Sequence, residues 1–216
     1  MKKSFERAQR RREEGHGYKH DLGQNFLYDD ALLEELVQST GVTKADSVLE
    51  IGPGSGMLTK HLCPHAGKVL AVEVDHDIIP FLKVNTAAFS NLEIVEGDIR
   101  KQNLRELCAP LGENFLVIAN IPYNITTPIF EALWESNLSI RQISVMIQKE
   151  VAEKLMAAPS TAAYGLMSVK CQYYCTPRLE CIVPAEKFTP PPKVDSAFVH
   201  LEMSRCRSTE VQNERR

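Results

Sequence analysis

The chain has 216 residues, 44% of them hydrophobic and 25% charged, with a formal net charge of −3. That is one α/β domain's worth of an ordinary soluble globular protein, and not comfortably two. No apolar run is long enough to span a bilayer and the N-terminus lacks the apolar segment of a signal peptide, so a cytoplasmic, non-membrane protein is expected.

Residues 1–20 carry seven Lys/Arg against three Glu, a net of +4, which leaves −7 for the rest. A basic arm on an acidic body fits phosphate contact, although a solvated tail is the favoured reading from charge alone. "DDALLEELVQSTG" (Asp29 to Gly41) then reads as an amphipathic helix with acidic residues at its start and a glycine stop. Strands and helices alternate after it. "SVLEI" is a strand, followed by a Gly-rich turn and a helix to about Leu62. "KVLAVEVD" is a strand and "HDIIPFLKVNTAAF" a helix. "LEIVEGD" and "NFLVIAN" are the third and fourth strands. "TTPIFEALWES", "QISVMIQ" and "KEVAEKLMAA" continue as helix, strand and helix. This alternation predicts an α/β fold with right-handed crossovers and a mostly parallel sheet. "LECIV" and "AFVHLEM", separated by the Pro-rich "FTPPPKVDS", predict a closing antiparallel hairpin at the sheet edge.

The six cysteines, Cys63, Cys108, Cys171, Cys175, Cys181 and Cys206, form no CxxC pair and read as reduced thiols. Cys171, Cys175 and Cys181 lack the spacing of a zinc site, and "HLCPH" (His61 to His65) reads as a helix end stopped by Pro64. No metal is expected.

Ligands of such sheets bind beyond the C-terminal strand ends, which selects four tips. In "EIGPGSG", Gly52, Gly54 and Gly56 allow a sharp turn and close approach to a ligand. The spacing departs from the dinucleotide G-x-G-x-x-G, and Pro53 removes an amide that would cradle a pyrophosphate. Glu73 is placed to accept both hydroxyls of a ribose, and Asp98, in "EGD", a hydrogen bond from an adenine amine. Singly each reads as a surface acid. Together the three tips describe a pocket for an adenosine without a diphosphate, the shape of S-adenosylmethionine. The fourth tip, "NIPYN", offers the Asn120 amide oxygen and the carbonyl of Ile121 or Pro122 as acceptors for an adenine amine. Pro122 fixes the turn and Tyr123 offers a ring for stacking.

"LGQNFL", "EIGPGSG", "EVD", "EGDI", "NIPYNIT" and "FTPPPKVDSAF", in this order from about His20 to Leu201, resemble the small-subunit rRNA adenine N6,N6-dimethyltransferases. The resemblance implies a Rossmann-like S-adenosylmethionine-dependent methyltransferase fold, with Asn25, Leu27, Gly52, Glu73, Asp98 and Asn120 contacting the cofactor. Gly54 is added from the loop itself. It further implies that Phe188 stacks on the target adenine opposite Tyr123. From the residues alone, Phe188 is an aromatic before a stiff loop, and packing is the favoured reading. The implied substrate is a pair of adjacent adenosines in a hairpin loop near the 3′ end of small-subunit rRNA, each dimethylated during subunit maturation, by a monomer.

The implied organisation is a basic arm at 1–20, a catalytic domain at 21–203, and a polar tail at 204–216. That tail would lead toward a helical domain that the family normally carries and this chain lacks. Two alternatives stand at this point: a large-subunit rRNA adenine methyltransferase of the macrolide-resistance type, and a mainly non-enzymatic RNA-binding assembly factor.

Overall fold

The computed structural model describes residues 25–204. The basic arm, the "LGQ" of "LGQNFL", Cys206 and the tail beyond Ser204 lie outside the described residues. Nine strands are described: β1 (Phe26–Leu27), β2 (Ser47–Ile51), β3 (Lys68–Glu73), β4 (Leu92–Glu96), β5 (Phe115–Asn120), β6 (Ile140–Gln148), β7 (Cys175–Val183), β8 (Phe188–Thr189) and β9 (Ser196–Met203). The described α-helices are α1 (Asp30–Ser39), α2 (Thr59–Leu62), α3 (Ile79–Asn85), α4 (Leu104–Cys108), α5 (Thr126–Glu135), α6 (Lys149–Met156) and α7 (Leu166–Tyr174).

Seven strands form one sheet in the order β4-β3-β2-β5-β6-β9-β7. β4, β3, β2, β5 and β6 run parallel, as the alternation of strands and helices requires. β9 is antiparallel to both of its neighbours. The closing antiparallel pair is therefore present, but β9 is inserted between β6 and β7, and β7 forms the edge. β7 also starts earlier than "LECIV" suggests, directly after α7. A short second sheet pairs β1 with β8, setting Leu27 opposite Phe188.

Side chains alternate across the sheet and build two apolar layers. Leu49, Val72, Val117 and Val145 pack with α5 on one face. Val48, Val69, Leu116 and Ile118 pack with α1 and α2 on the other. α1 starts where the Asp29 side chain accepts from the Leu32 N–H at 3.2 Å, and Gly41 follows it at a φ of 68°. α2 and α3 are shorter than their sequence segments. In α3 the Thr86 hydroxyl donates to the Leu82 carbonyl at 2.6 Å, and this side-chain bond coincides with the helix end.

His61 and His65, at the end of α2, bind carboxylates of α1. His61 lies 3.0 Å from both Glu34 and Asp30, and His65 lies 2.7 Å from Glu34. They tie one helix to the other, and no group of residues suited to a metal ion occurs among the described residues. The five described cysteines are free thiols.

Candidate active site

A cavity of about 260 Å³ opens beyond the C-terminal ends of β2, β3, β4 and β5. Nine of the ten residues singled out from the sequence line it: Asn25, Leu27, Gly52, Gly54, Glu73, Asp98, Asn120, Pro122 and Tyr123. Phe188 does not. Its ring is only 2% exposed and packs in the apolar layer beneath β1. In this structure it therefore is not positioned as a stacking platform facing Tyr123.

The loop after β2 is shaped by backbone that other residues adopt poorly. Gly52, Gly54 and Gly56 all have positive φ, at 66°, 57° and 87°. A Cβ on Gly54 would come within 2.8 Å of the Phe26 ring, so β1 closes directly over the loop. The loop is also held from both sides. The Gly54 N–H donates to Glu73 Oε2 at 2.8 Å, and Asn85 Nδ2 donates to the Ser55 carbonyl at 2.7 Å.

Glu73 is thus partly engaged before any ligand arrives, since its Oε1 accepts from the Asp75 N–H at 2.8 Å. Burial pushes its pKa up, against the pull of these backbone donors. Asp98 is more heavily engaged. It accepts from the Arg100 Nε at 2.8 Å, Nη2 at 2.7 Å and backbone N–H at 3.0 Å. The guanidinium holds the Asp98 carboxyl below its ordinary range. Arg100 also lines the cavity, and nothing in the sequence pattern had singled it out.

At the fourth tip, Asn120 Nδ2 donates to the Asn25 carbonyl at 3.0 Å. This bond fixes the orientation of the carboxamide and leaves Oδ1 as its acceptor end. Of the two backbone acceptors considered, Pro122 is occupied: its carbonyl accepts from the Ile125 N–H at 3.2 Å and the Thr126 hydroxyl at 3.3 Å. Ile121 remains. The Tyr123 hydroxyl is anchored 2.5 Å from Ser196 Oγ, on the first residue of β9, and burial raises its pKa. Ser196 escaped notice in the sequence because its partner is 73 residues away.

Glu50 adds a third acid to the site. It lines the cavity, is 1% exposed, and neither carboxylate oxygen has a hydrogen-bond partner among the described residues. The signal was available as an acid in the fourth place of the apolar strand "SVLEI".

A family model for "Ribosomal RNA adenine dimethylase" matches residues 15–215. A ribosomal RNA small subunit methyltransferase A of Alkaliphilus oremlandii is 39% identical over 199 residues, covering 91% of this chain and 69% of that protein. One from Ligilactobacillus salivarius is 42% identical over 201 residues, covering 92% and 68%. Among solved structures, a dimethyladenosine transferase from Plasmodium falciparum superposes with a TM-score of 0.73 at 31% identity, over 83% of this chain and 63% of that one. A 23S rRNA methyltransferase, ErmE, gives the same TM-score at 27% identity, over 84% and 70%. The chain spans about two thirds of the length of these relatives.

Proposed function

This chain belongs to the ribosomal RNA adenine dimethylase family, and from that premise we propose that it transfers methyl groups from S-adenosylmethionine to the N6 amines of adenosines in small-subunit rRNA. The observation that carries the proposal is the Asn120 carboxamide. Its nitrogen is committed to the Asn25 carbonyl, so its oxygen faces the reaction as a fixed acceptor beside the Ile121 carbonyl. Two acceptors at that point suit a primary amine with two protons to donate.

The cavity fits the proposed donor on three grounds. The loop of Gly52 and Gly54 leaves backbone where a side chain would intrude. Glu73 and Asp98 stand at adjacent strand tips as acceptors for ribose and adenine, with Val74 and Ile99 as apolar walls. The third acid, Glu50, is buried with oxygens that lack partners, which suits a ligand carrying positive charge. Asn25, Leu27, Gly52, Gly54, Glu73, Asp98 and Asn120 would hold it. When bound, S-adenosylmethionine supplies a methyl group activated by a sulfonium.

The protein's part in the reaction is alignment. The lone pair of an adenine amine is conjugated with the ring, and hydrogen bonds from that amine to Asn120 Oδ1 and the Ile121 carbonyl favour the tetrahedral nitrogen that can attack. No base is needed before alkylation, because the amine becomes acidic only afterwards. Tyr123, its hydroxyl held by Ser196, presents its ring to the base. Stacking by Phe188 is not part of the proposal, because that ring lies in the apolar layer. Bases in an RNA loop can be splayed into such a pocket at low cost. We take the protein to act as a cytoplasmic monomer. Among the described residues, no helix is long and apolar enough to cross a membrane.

The two related structures superpose equally well, so the choice of small over large subunit rests on the 39–42% identity to small-subunit methyltransferases. Incubating the protein with labelled S-adenosylmethionine and undermethylated ribosomal subunits tests that choice. Label is expected in adenines of small-subunit rRNA. Label in large-subunit rRNA, or in neither, overturns the assignment.

A further inference from the structure

Glu50 is a carboxyl group that the transfer chemistry above does not use. It sits on β2 one residue before the Gly-rich loop, it lines the cavity, and it is 1% exposed. Neither Oε1 nor Oε2 makes a hydrogen bond of ordinary geometry, and the nearby buried hydroxyl of Ser55 is also unpartnered, while the Thr59 hydroxyl lies close enough to pull the carboxyl's pKa down. A charged carboxylate in such a place is unfavourable, and a buried polar group left unpaired calls for a missing partner.

The surrounding elements supply no cation for it. From β3 it faces Glu73, another acid. From the end of α2 it faces the Cys63 thiol, itself pushed up to about 12 by burial and by the Glu50 charge. β5 (Phe115–Asn120) presents no titratable group. At the β4 tip, Arg100 lines the same cavity but is paired with Asp98. Burial, opposed by the Thr59 hydroxyl and reinforced by Glu73, pushes the Glu50 pKa up to about 8, so at neutral pH the empty site holds this group as the neutral acid.

We infer that Glu50 gives up its proton when the positively charged donor enters, so that cofactor uptake is coupled to release of a proton to solvent. The inference rests on the reading of the cavity as an S-adenosylmethionine site and deepens it. S-adenosylmethionine carries a sulfonium and an ammonium against one carboxylate, and so brings a net positive charge into a cavity lined by Glu50, Glu73 and Asp98. An opposite charge at close range favours the ionised acid. The Glu50 O–H bond breaks, its electron pair stays on the carboxylate, and the proton leaves to the buffer. The pocket then holds an ion pair where the empty site held a neutral acid. The donor's own amine titrates near neutrality and takes up protons if the bound form is ammonium, so the Glu50 contribution is read as a difference between variants.

The test is calorimetric titration of the protein with S-adenosylmethionine alone, without RNA, in buffers of differing ionisation enthalpy. The protons released per bound ligand are compared between wild type and Glu50→Gln. At pH 7 wild type is expected to release approaching one proton more than Glu50→Gln, and the difference should vanish above about pH 9. Between pH 6 and 7, wild-type affinity should rise about tenfold relative to the variant. Equal proton counts in the two proteins overturn the inference. If Glu50→Gln fails to fold or bind, infrared difference spectra of wild type decide. A band of a protonated buried carboxyl that is lost on binding supports the inference, and an unchanged band sinks it. Absence of any S-adenosylmethionine binding by wild type would instead overturn the functional proposal beneath it.

Discussion

Asn120 and Asp98 line one cavity and carry similar acceptor oxygens, yet their surroundings assign them different work. Asn120 is held by a single bond to the Asn25 carbonyl, and its remaining acceptor faces the place where chemistry is proposed. Asp98 is paired with Arg100 through both oxygens, with acceptor capacity left on Oδ2, and stands at the far tip, beyond β4. Asn120→Ala should therefore lower turnover by about 10²-fold or more, while weakening S-adenosylmethionine binding less than Asp98→Ala does. Single-turnover methylation and equilibrium binding on both variants separate the two effects, and equal losses of both in both proteins would count against these roles. Nine of the ten residues drawn from the sequence line the cavity because each occupies a strand tip or a motif beside one. The bonds that orient them were not legible in the sequence, since Asn25 and Asn120 are 95 residues apart and only the folded sheet brings them together. Phe188 shows where the pattern does not decide. An aromatic before a Pro-rich loop has one signature whether it faces a substrate or, as here, the apolar layer opposite Leu27.

Elements were legible where one physical rule governed them. Mostly apolar runs of five or six residues between turn signals gave β2, β3 and β5, because strands buried on both faces need no alternation, whereas β4, at the sheet edge, mixes acids with apolar residues. The order of the last strands was not legible. An antiparallel return can pair at the edge or slip inside it, and local patterning does not distinguish the two. The same limit hid how β1, the Gly-rich loop and α3 pack as a unit. Phe26 covers Gly54, while Gly56 meets Leu82 and Thr86 of the next helical segment. Gly54→Ala would place a Cβ 2.8 Å from the Phe26 ring on a backbone with a φ of 57°. The ring must yield, by rotating or by lifting β1 from the loop. A loss of about 1–2 kcal/mol in stability is expected. Cofactor affinity should fall as well, because Asn25, at the base of β1, is the residue that orients Asn120. Chemical denaturation with parallel S-adenosylmethionine titration checks both. A variant that binds normally would show that β1 and the loop are not coupled.

At the scale of the whole molecule, two apolar layers clamp a sheet whose carboxyl end concentrates three acids in one cavity. Building a site for a cation in this way stores instability in the empty protein. The sign follows from Glu50, whose folded pKa, about 8, lies above its ordinary value of 4.5. Below pH 4.5 the group is protonated in both folded and unfolded chains and takes nothing from stability. As pH rises from 4.5 to 8 the unfolded chain loses this proton while the folded one keeps it, and folding grows less favourable across that window. Glu34 works in the other direction. His61, Gln38 and His65 hold its carboxyl down to about 2, so its contribution is present above 4.5 and lost as pH falls toward 2. Glu34 therefore adds to the acid side of the stability profile together with Asp46, paired with Arg141, and Asp98, paired with Arg100, while Glu50 acts on the alkaline side. Glu50→Gln keeps the shape of the side chain and removes the titration. The ligand-free variant should match wild type near pH 4 and be more stable than it at pH 8, by an amount on the order of a few kcal/mol. Thermal melts of both proteins across that range, without ligand, are the measurement. A difference that stays constant with pH would mean that Glu50 is already ionised in the empty cavity.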